Sequence, residues 1–196
     1  RAAFAAAFAI DFLYEAYFDL QFESRKTEIS NKIVNLADWI LTQQCTNDTK
    51  LAYGGFKSNE NSTYYYSIDA CRVIPSLLKA YELANNESFL DSAKLAGATF
   101  LYNMQHKPSQ LGVHDKYYGG FARAVTTADA WLEQMDIESL YGLVGLKMLC
   151  NIDSANKDKY ESMIADAVNF YCQGFEQFYL YYDPPPSGDA EWHRTG

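Results

Sequence analysis

The sequence predicts an all-α fold built from antiparallel helical-hairpin repeats, and two observations carry that expectation. Tyr53-Gly54-Gly55-Phe56 recurs as Tyr118-Gly119-Gly120-Phe121. Each copy lies between apolar stretches of helical spacing, 36–44 and 76–84 around the first, 95–105 and 142–150 around the second. A unit of this length cannot bury its apolar face alone, so the units must stack on one another. Short turns alternate with long loops, which gathers the long loops, and both glycine pairs with them, on one rim. Rigid scaffolds present binding and chemistry on such loops.

The first helix is expected over about 2–23. Asp11, Glu15, Asp19 and Glu23 form an i, i+4 acidic stripe on a rod otherwise rich in Ala, Phe, Leu, Ile and Tyr. Like charges at that spacing repel by roughly a few tenths of a kcal/mol per pair. The stripe must face water or cations while the remaining surface seeks cover. A residual signal sequence fits Arg1 with 2–10 but should have been removed. A membrane span fails, because the uncharged run is far shorter than the roughly twenty residues required. A helix clamped between other helices, or between subunits, remains. Phe4, Phe8 and Phe12 are then expected to bury against another copy or against sequence beyond this chain.

Ile29, Ile33, Leu36, Ala37, Ile40 and Leu41 keep helical spacing up to Gln44. Residues 45–65, rich in Asn, Ser, Thr and Gly, read as a long loop. The third helix, 66–84, contains Pro75, whose missing donor predicts a kink or a late start. After Asn85-Asn86, the run Ser88-Phe89-Leu90-Asp91 resembles a capping box. Phe89, Ala93, Ala96, Phe100 and Met104 stripe the fourth helix, 88–105. Residues 106–129 form the second long loop, 130–150 a fifth helix and about 157–175 a sixth. Pro184-Pro185-Pro186-Ser187-Gly188 cannot be regular helix and takes a third loop's place. The chain divides into an N-terminal apolar helix (1–26), a helical-hairpin repeat domain (27–178) and a proline-rich tail (179–196). Running from Arg1 to Gly196, it is expected to be a processed product or a fragment.

Apolar residues make up 48% of the chain and charged residues 21%, a balance that excludes disorder. Net charge is −9 and no basic run exceeds Arg25-Lys26. Nucleic acid is therefore set aside as a partner, since it demands clustered Lys and Arg. The 16 tyrosines and 12 phenylalanines suit surfaces that take sugars or proteins, although core packing accounts for most of them. Sequons begin at Asn47, Asn61 and Asn86, in expected loops or at a helix start. Four cysteines, an even number, agree with an oxidising compartment. The favoured pairing is Cys45–Cys71 with Cys150–Cys172, and four buried thiols are the other reading. Together these features place the protein outside the cell or on its surface.

Each glycine pair lets the backbone turn tightly or approach a ligand, with Tyr53 or Tyr118 beside it. The plainer reading is a turn held by two anchoring aromatics. Trp131 offers a stacking face for a sugar, and Arg123 a fork for a carboxylate. Asp69 and Asp136 hold the same place in successive repeats, with Glu138 close by. Two carboxylates facing one cavity serve as general acid and base, or as acid and nucleophile. As early-helix acids they equally favour the helix dipole. His114, next to Asp115, is a candidate substrate-binding base for a lyase-type reaction, and a solvated loop histidine is its plainer reading. No histidine pair has metal-ligand spacing, so neither metal nor other cofactor is expected. No G-x-S-x-G marks a serine nucleophile.

Hairpins with long loops on one rim, where Gln44 and Gln105 close a helix before a Gly-Gly-aromatic loop, resemble the (α/α) toroid proteins. That class holds glycoside hydrolases, polysaccharide lyases, sugar epimerases, and terpene cyclases or prenyltransferases. The segment 131–143 resembles an inner helix of its sugar-active members. The D-x-D-D of cyclases and the zinc set of prenyltransferases are missing. A full toroid needs about twice the helices expected here, so the resemblance implies a toroid-like or half-toroid array. It also implies a secreted glycoside hydrolase or polysaccharide lyase, or a protein that binds a polysaccharide, with carboxylates at the rim. The alternative is a non-enzymatic extracellular glycoprotein subunit, a surface or filament protein that forms a homo-oligomer through its first helix.

Overall fold

The computed structural model describes residues 2–107, 118–135 and 137–178. The fold is mainly α rather than all-α, because three strands form a small antiparallel sheet beside the helices. Helix α1 (Ala2–Phe18) ends short of the expected 23, where Asp19 caps a 3-10 turn, Leu20–Arg25, by accepting from Gln21 N at 2.9 Å. The acidic stripe is shared out among partners. Lys79 Nζ lies 3.2 Å from Asp11 and 3.5 Å from Glu15, and Glu23 pairs with Lys26 at 2.8 Å.

Helix α2 (Lys26–Thr42) precedes the first loop, and α3 (Ser67–Ala84) follows it. Helix α3 starts at Ser67 and continues through Pro75. Ser76, next to that proline, ties α3 to α1 by donating to Ala7 O and Asp11 Oδ1, both at 3.1 Å. Asn86, not Ser88, caps the fourth helical rod, accepting from Ser88 N at 3.1 Å. This rod, α4 (87–104), is α-helical over Glu87–Leu95, widens to a π-helix over Ala96–Leu101 and closes with Tyr102–Met104.

The expected fifth helix begins late. Trp131–Met135 is a strand and Ile137–Tyr141 a 3-10 turn, so α5 spans only Gly142–Ile152 before α6 (Lys157–Phe178). Backbone pairing with the preceding strand, a contact that periodicity cannot see, overrides the helical spacing there. The sheet runs β1 (Tyr64–Tyr66), β2 (Ala122–Thr126), β3 (Trp131–Met135), with Tyr65 opposite Val125 and Val125 opposite Trp131. β1 follows the first Gly-Gly loop and β2 the second, so both loops meet at one sheet. The β2–β3 turn is clamped to the first loop by Asp129, which accepts from Lys50 Nζ at 2.8 Å and Leu51 N at 3.0 Å. That hydrogen bond to Lys50 holds the Asp129 carboxyl below its usual range.

Helices α1, α3 and α5 pack side by side, and α2, α4 and α6 cover them as a second layer. One apolar core joins Ile10 of α1, Ile33, Leu77, Phe100, Leu146 and Tyr160, so α1 belongs to the same core as the repeats. No helix among the described residues is long and apolar enough to cross a membrane. Neither expected disulfide is formed. Cys45, Cys71 and Cys150 are buried thiols and Cys172 is exposed, while Cys71 Sγ donates to Ser139 O at 3.4 Å. Burial pushes the Cys150 thiol upward. Asn47 and Asn61 are exposed, and Asn86 is half-buried at its cap.

The two repeats coincide at one polar lock. Gln44 Nε2 donates to Gly54 O and to Ser92 O of α4, both at 3.0 Å. Gln105 Nε2 donates to Gly119 O at 2.9 Å and to Met163 O of α6 at 2.8 Å. The next residue closes a backbone ring in each copy: Cys45 N donates to Gly55 O and His106 N to Gly120 O, both at 2.8 Å. Gly54 (φ +86) and Gly119 (φ +91) turn in the left-handed region, and a Cβ there would strike Leu95 O or Asp166 O at 2.7 and 2.1 Å. Only glycine allows the loop to lie directly on the helix backbone. Phe56 and Phe121 then bury completely.

Two outcomes follow from the lock. Replacing Gln105 with Leu keeps its bulk but leaves loop and helix carbonyls without their amide, which should lower unfolding free energy by about 2–4 kcal/mol in urea denaturation. His106 is held neutral in the lock, its pKa lowered by burial from 6.5 to about 4. The unfolded chain takes up a proton more readily, so stability is full above pH 6.5 and declines as pH falls toward 4. Denaturant titrations across that window should show the decline in the native protein and a smaller one in His106→Gln.

Candidate functional site

The second lock places a cleft beside its loop. Because Gly119 lies on the backbone of α6 at Asp166, the neighbouring Tyr118 side chain projects along that helix. Lys159, Ser162 and Asp166 share one helical face at i, i+3 and i+7 spacing. Tyr102, in the last turn of α4, and Lys107, just past the lock, approach from the other side. These six residues line an open cavity of about 400 Å³.

Charge in the cleft is organised around Tyr102. Lys107 Nζ sits 2.9 Å from the centre of its ring and Lys159 Nζ 4.6 Å, within cation–π range. Lys159 is also anchored to Ala98 O at 3.2 Å. Hydrogen bonding from Lys107, reinforced by its charge, draws the Tyr102 phenol below its usual pKa, and burial lowers that of Lys107. Opposite them, Tyr118 is hydrogen-bonded to Asp166, which raises the phenol's pKa and keeps it a donor. Tyr118 is 41% exposed, so its ring is open to a ligand. The cleft thus combines two aromatic faces, a carboxylate, a hydroxyl and two ammonium groups.

Among the described residues that the sequence singles out, Tyr118 alone lines this cleft. Tyr53, its counterpart, is half-buried in the first loop. Arg123 is not a solvent-facing fork. It sits at the β2 bulge, 7% exposed, with its guanidinium 5.8 Å from the Tyr66 ring. Trp131 is half-buried and packs on the core from β3. Asp69 is fully buried at the start of α3, where its carboxylate accepts from Ser58 Oγ at 2.5 Å. Ser58 O in turn accepts from Ala3 N at 2.9 Å, so this carboxylate braces α1, the first loop and α3. It does not open onto a rim cavity. Glu138 falls in the 3-10 turn before α5. Asp136 and His114 lie outside the described residues.

Tyr102, Lys107, Lys159, Ser162 and Asp166 escape the motif search because no motif joins them. A comparison of the two repeats finds one of them. Tyr102 stands three positions before Gln105, where the first copy has Leu41 before Gln44. Asp166 emerges only from the structure, as the residue whose carbonyl meets Gly119 where that of Leu95 meets Gly54. The second repeat has therefore exchanged apolar for polar side chains around an unchanged lock. Comparison of the chain with protein-family profiles, characterised proteins and solved structures finds no match to any of them.

Proposed function

We propose that this chain is an extracellular, toroid-like helical-repeat protein that binds a polysaccharide at the cleft beside its second Gly-Gly loop. The observation that carries this reading is the convergence of the exposed Tyr118 ring with a carboxylate, a serine hydroxyl and the lysine-covered Tyr102 ring in an open groove. A sugar needs both, an apolar face to stack on and fixed partners for its hydroxyls. Binding is favoured over hydrolysis. Asp69, one of the expected acid–base carboxylates, is fully buried under Ser58, while Asp136 and the Glu138 side chain lie outside the described residues.

A separate observation favours self-assembly as a second reading. Phe8, Phe12 and Phe18 are 46%, 72% and 56% exposed along α1, and Leu20 beyond it is 83% exposed. The occupant proposed for this stripe is the same stripe of a second copy, an isologous contact between two like helices.

Tyr118→Ala should weaken binding of polysaccharide fragments about tenfold or more by calorimetry, roughly the loss of one good aromatic contact. Tyr53→Ala, the same change in the repeat without the cleft, should leave affinity unaltered. Equal losses in both variants would place the site elsewhere. For the assembly reading, Phe12→Asp should convert an oligomer to a monomer in sedimentation velocity with helical circular dichroism retained. A native chain that sediments as a monomer would remove that reading.

A further inference from the structure

We propose that the cleft selects acidic sugars: an anionic substituent on the saccharide seats between Lys107 and Lys159 at the Tyr102 edge, and ring hydroxyls go to Asp166 and Ser162. This inference rests on the polysaccharide-binding reading and names its ligand class.

The chain as a whole carries a net charge of −9, so its long-range field repels anions. Two ammonium groups over one ring are a local reversal of that field. They come from different elements, Lys107 from the segment after α4 and Lys159 from the start of α6, and they lie 2.9 and 4.6 Å from the same ring centre. The fold therefore holds two like charges together that would separate if free. Asp166 is the one carboxylate among the described cleft residues; its side chain is hydrogen-bonded to Tyr118 and its charge reaches Lys107, so it offsets one of the two cations. One ligand anion between the lysines would relieve their repulsion and complete the charge balance of the groove. The first repeat supports the assignment by contrast. Leu41 and Leu95 stand there in place of Tyr102 and Asp166, so the pairing of cations with an aromatic platform is specific to the second repeat.

Carboxylated and sulfated sugars share this chemistry, and the test separates them. Calorimetry would compare oligogalacturonate with its methyl ester, and a sulfated galactan fragment with its desulfated form, at two salt concentrations. The acidic form should bind at least about tenfold more tightly than its neutral partner, with affinity falling as salt rises. Lys159→Met and Lys107→Met, each with unchanged circular dichroism, should reduce the acidic ligand to the neutral ligand's affinity and abolish the salt dependence. The acid that shows the preference identifies the substituent. Equal binding of acidic and neutral forms would overturn the inference while leaving the polysaccharide reading intact. Binding of no glycan at all would remove the reading itself. Binding of polyglutamate as tight as that of the acidic oligosaccharide would overturn the sugar assignment and leave a general anion site.

Discussion

A buried side-chain amide holds this structure together. In each repeat one glutamine, placed where a helix ends, reaches both the first glycine of the loop that follows and a carbonyl of a later helical rod. A carboxamide is the right group for this work. It carries two donors and no charge, so burial demands hydrogen bonds without the desolvation penalty of an ion. The glycine's left-handed turn then brings loop and helix into backbone contact, which a side chain would prevent. From that contact the buried phenylalanine, the strand after it and the next helix all take their positions.

Two copies of one lock also explain how a site arises in only one of them. The lock determines where the loop tyrosine and the later helix meet, but not which side chains surround them. In the first copy Leu41 and Leu95 stand at two of the matching positions. In the second those positions hold a tyrosine and an aspartate, joined by lysines from the flanking segments, and a groove opens. The lock and the cleft thus rest on different atoms. The tips of the cleft side chains lie apart from the amide and both glycines, so they can change while the lock is kept.

On the other layer, α1, α3 and α5 present a different surface. The Arg72 guanidinium lies 5.0 Å from the Phe8 ring and 3.0 Å from the Tyr141 ring, linking α1 and α3 to the 3-10 turn before α5 by cation–π contacts. The acidic residues of α1 belong to the same arrangement, because Asp11 and Glu15 meet Lys79 of α3. An acidic stripe that repels itself in an isolated helix is therefore a docking edge in the folded chain. What it leaves outside is the aromatic stripe of α1, whose rings point away from the core that Ala3, Ala7 and Ile10 enter.

The sequence by itself determined most of the helical spans and the recurrence of the glycine-pair loop. Apolar spacing, a glutamine before each Gly-Gly-aromatic loop and the glycine pairs are local signals, and each acts through neighbours a few residues away. It also marked Tyr118, which lines the cleft, as a candidate and the glycines as close-approach positions. Tertiary structure decided the rest. Trp131–Met135 became a strand because β2 offered a ladder, although its own spacing suits a helix. Asp69 became a brace because Ser58, distant from it in the helical register, closes over it. Arg123 was buried by a bulge that no pattern announces. The cleft draws on α4, the second loop and α6, and its charges acquire meaning only when Lys107 and Lys159 reach one ring. Periodicity reports which face of an element is apolar. It cannot report which distant side chains that face will meet, and binding chemistry depends on those meetings.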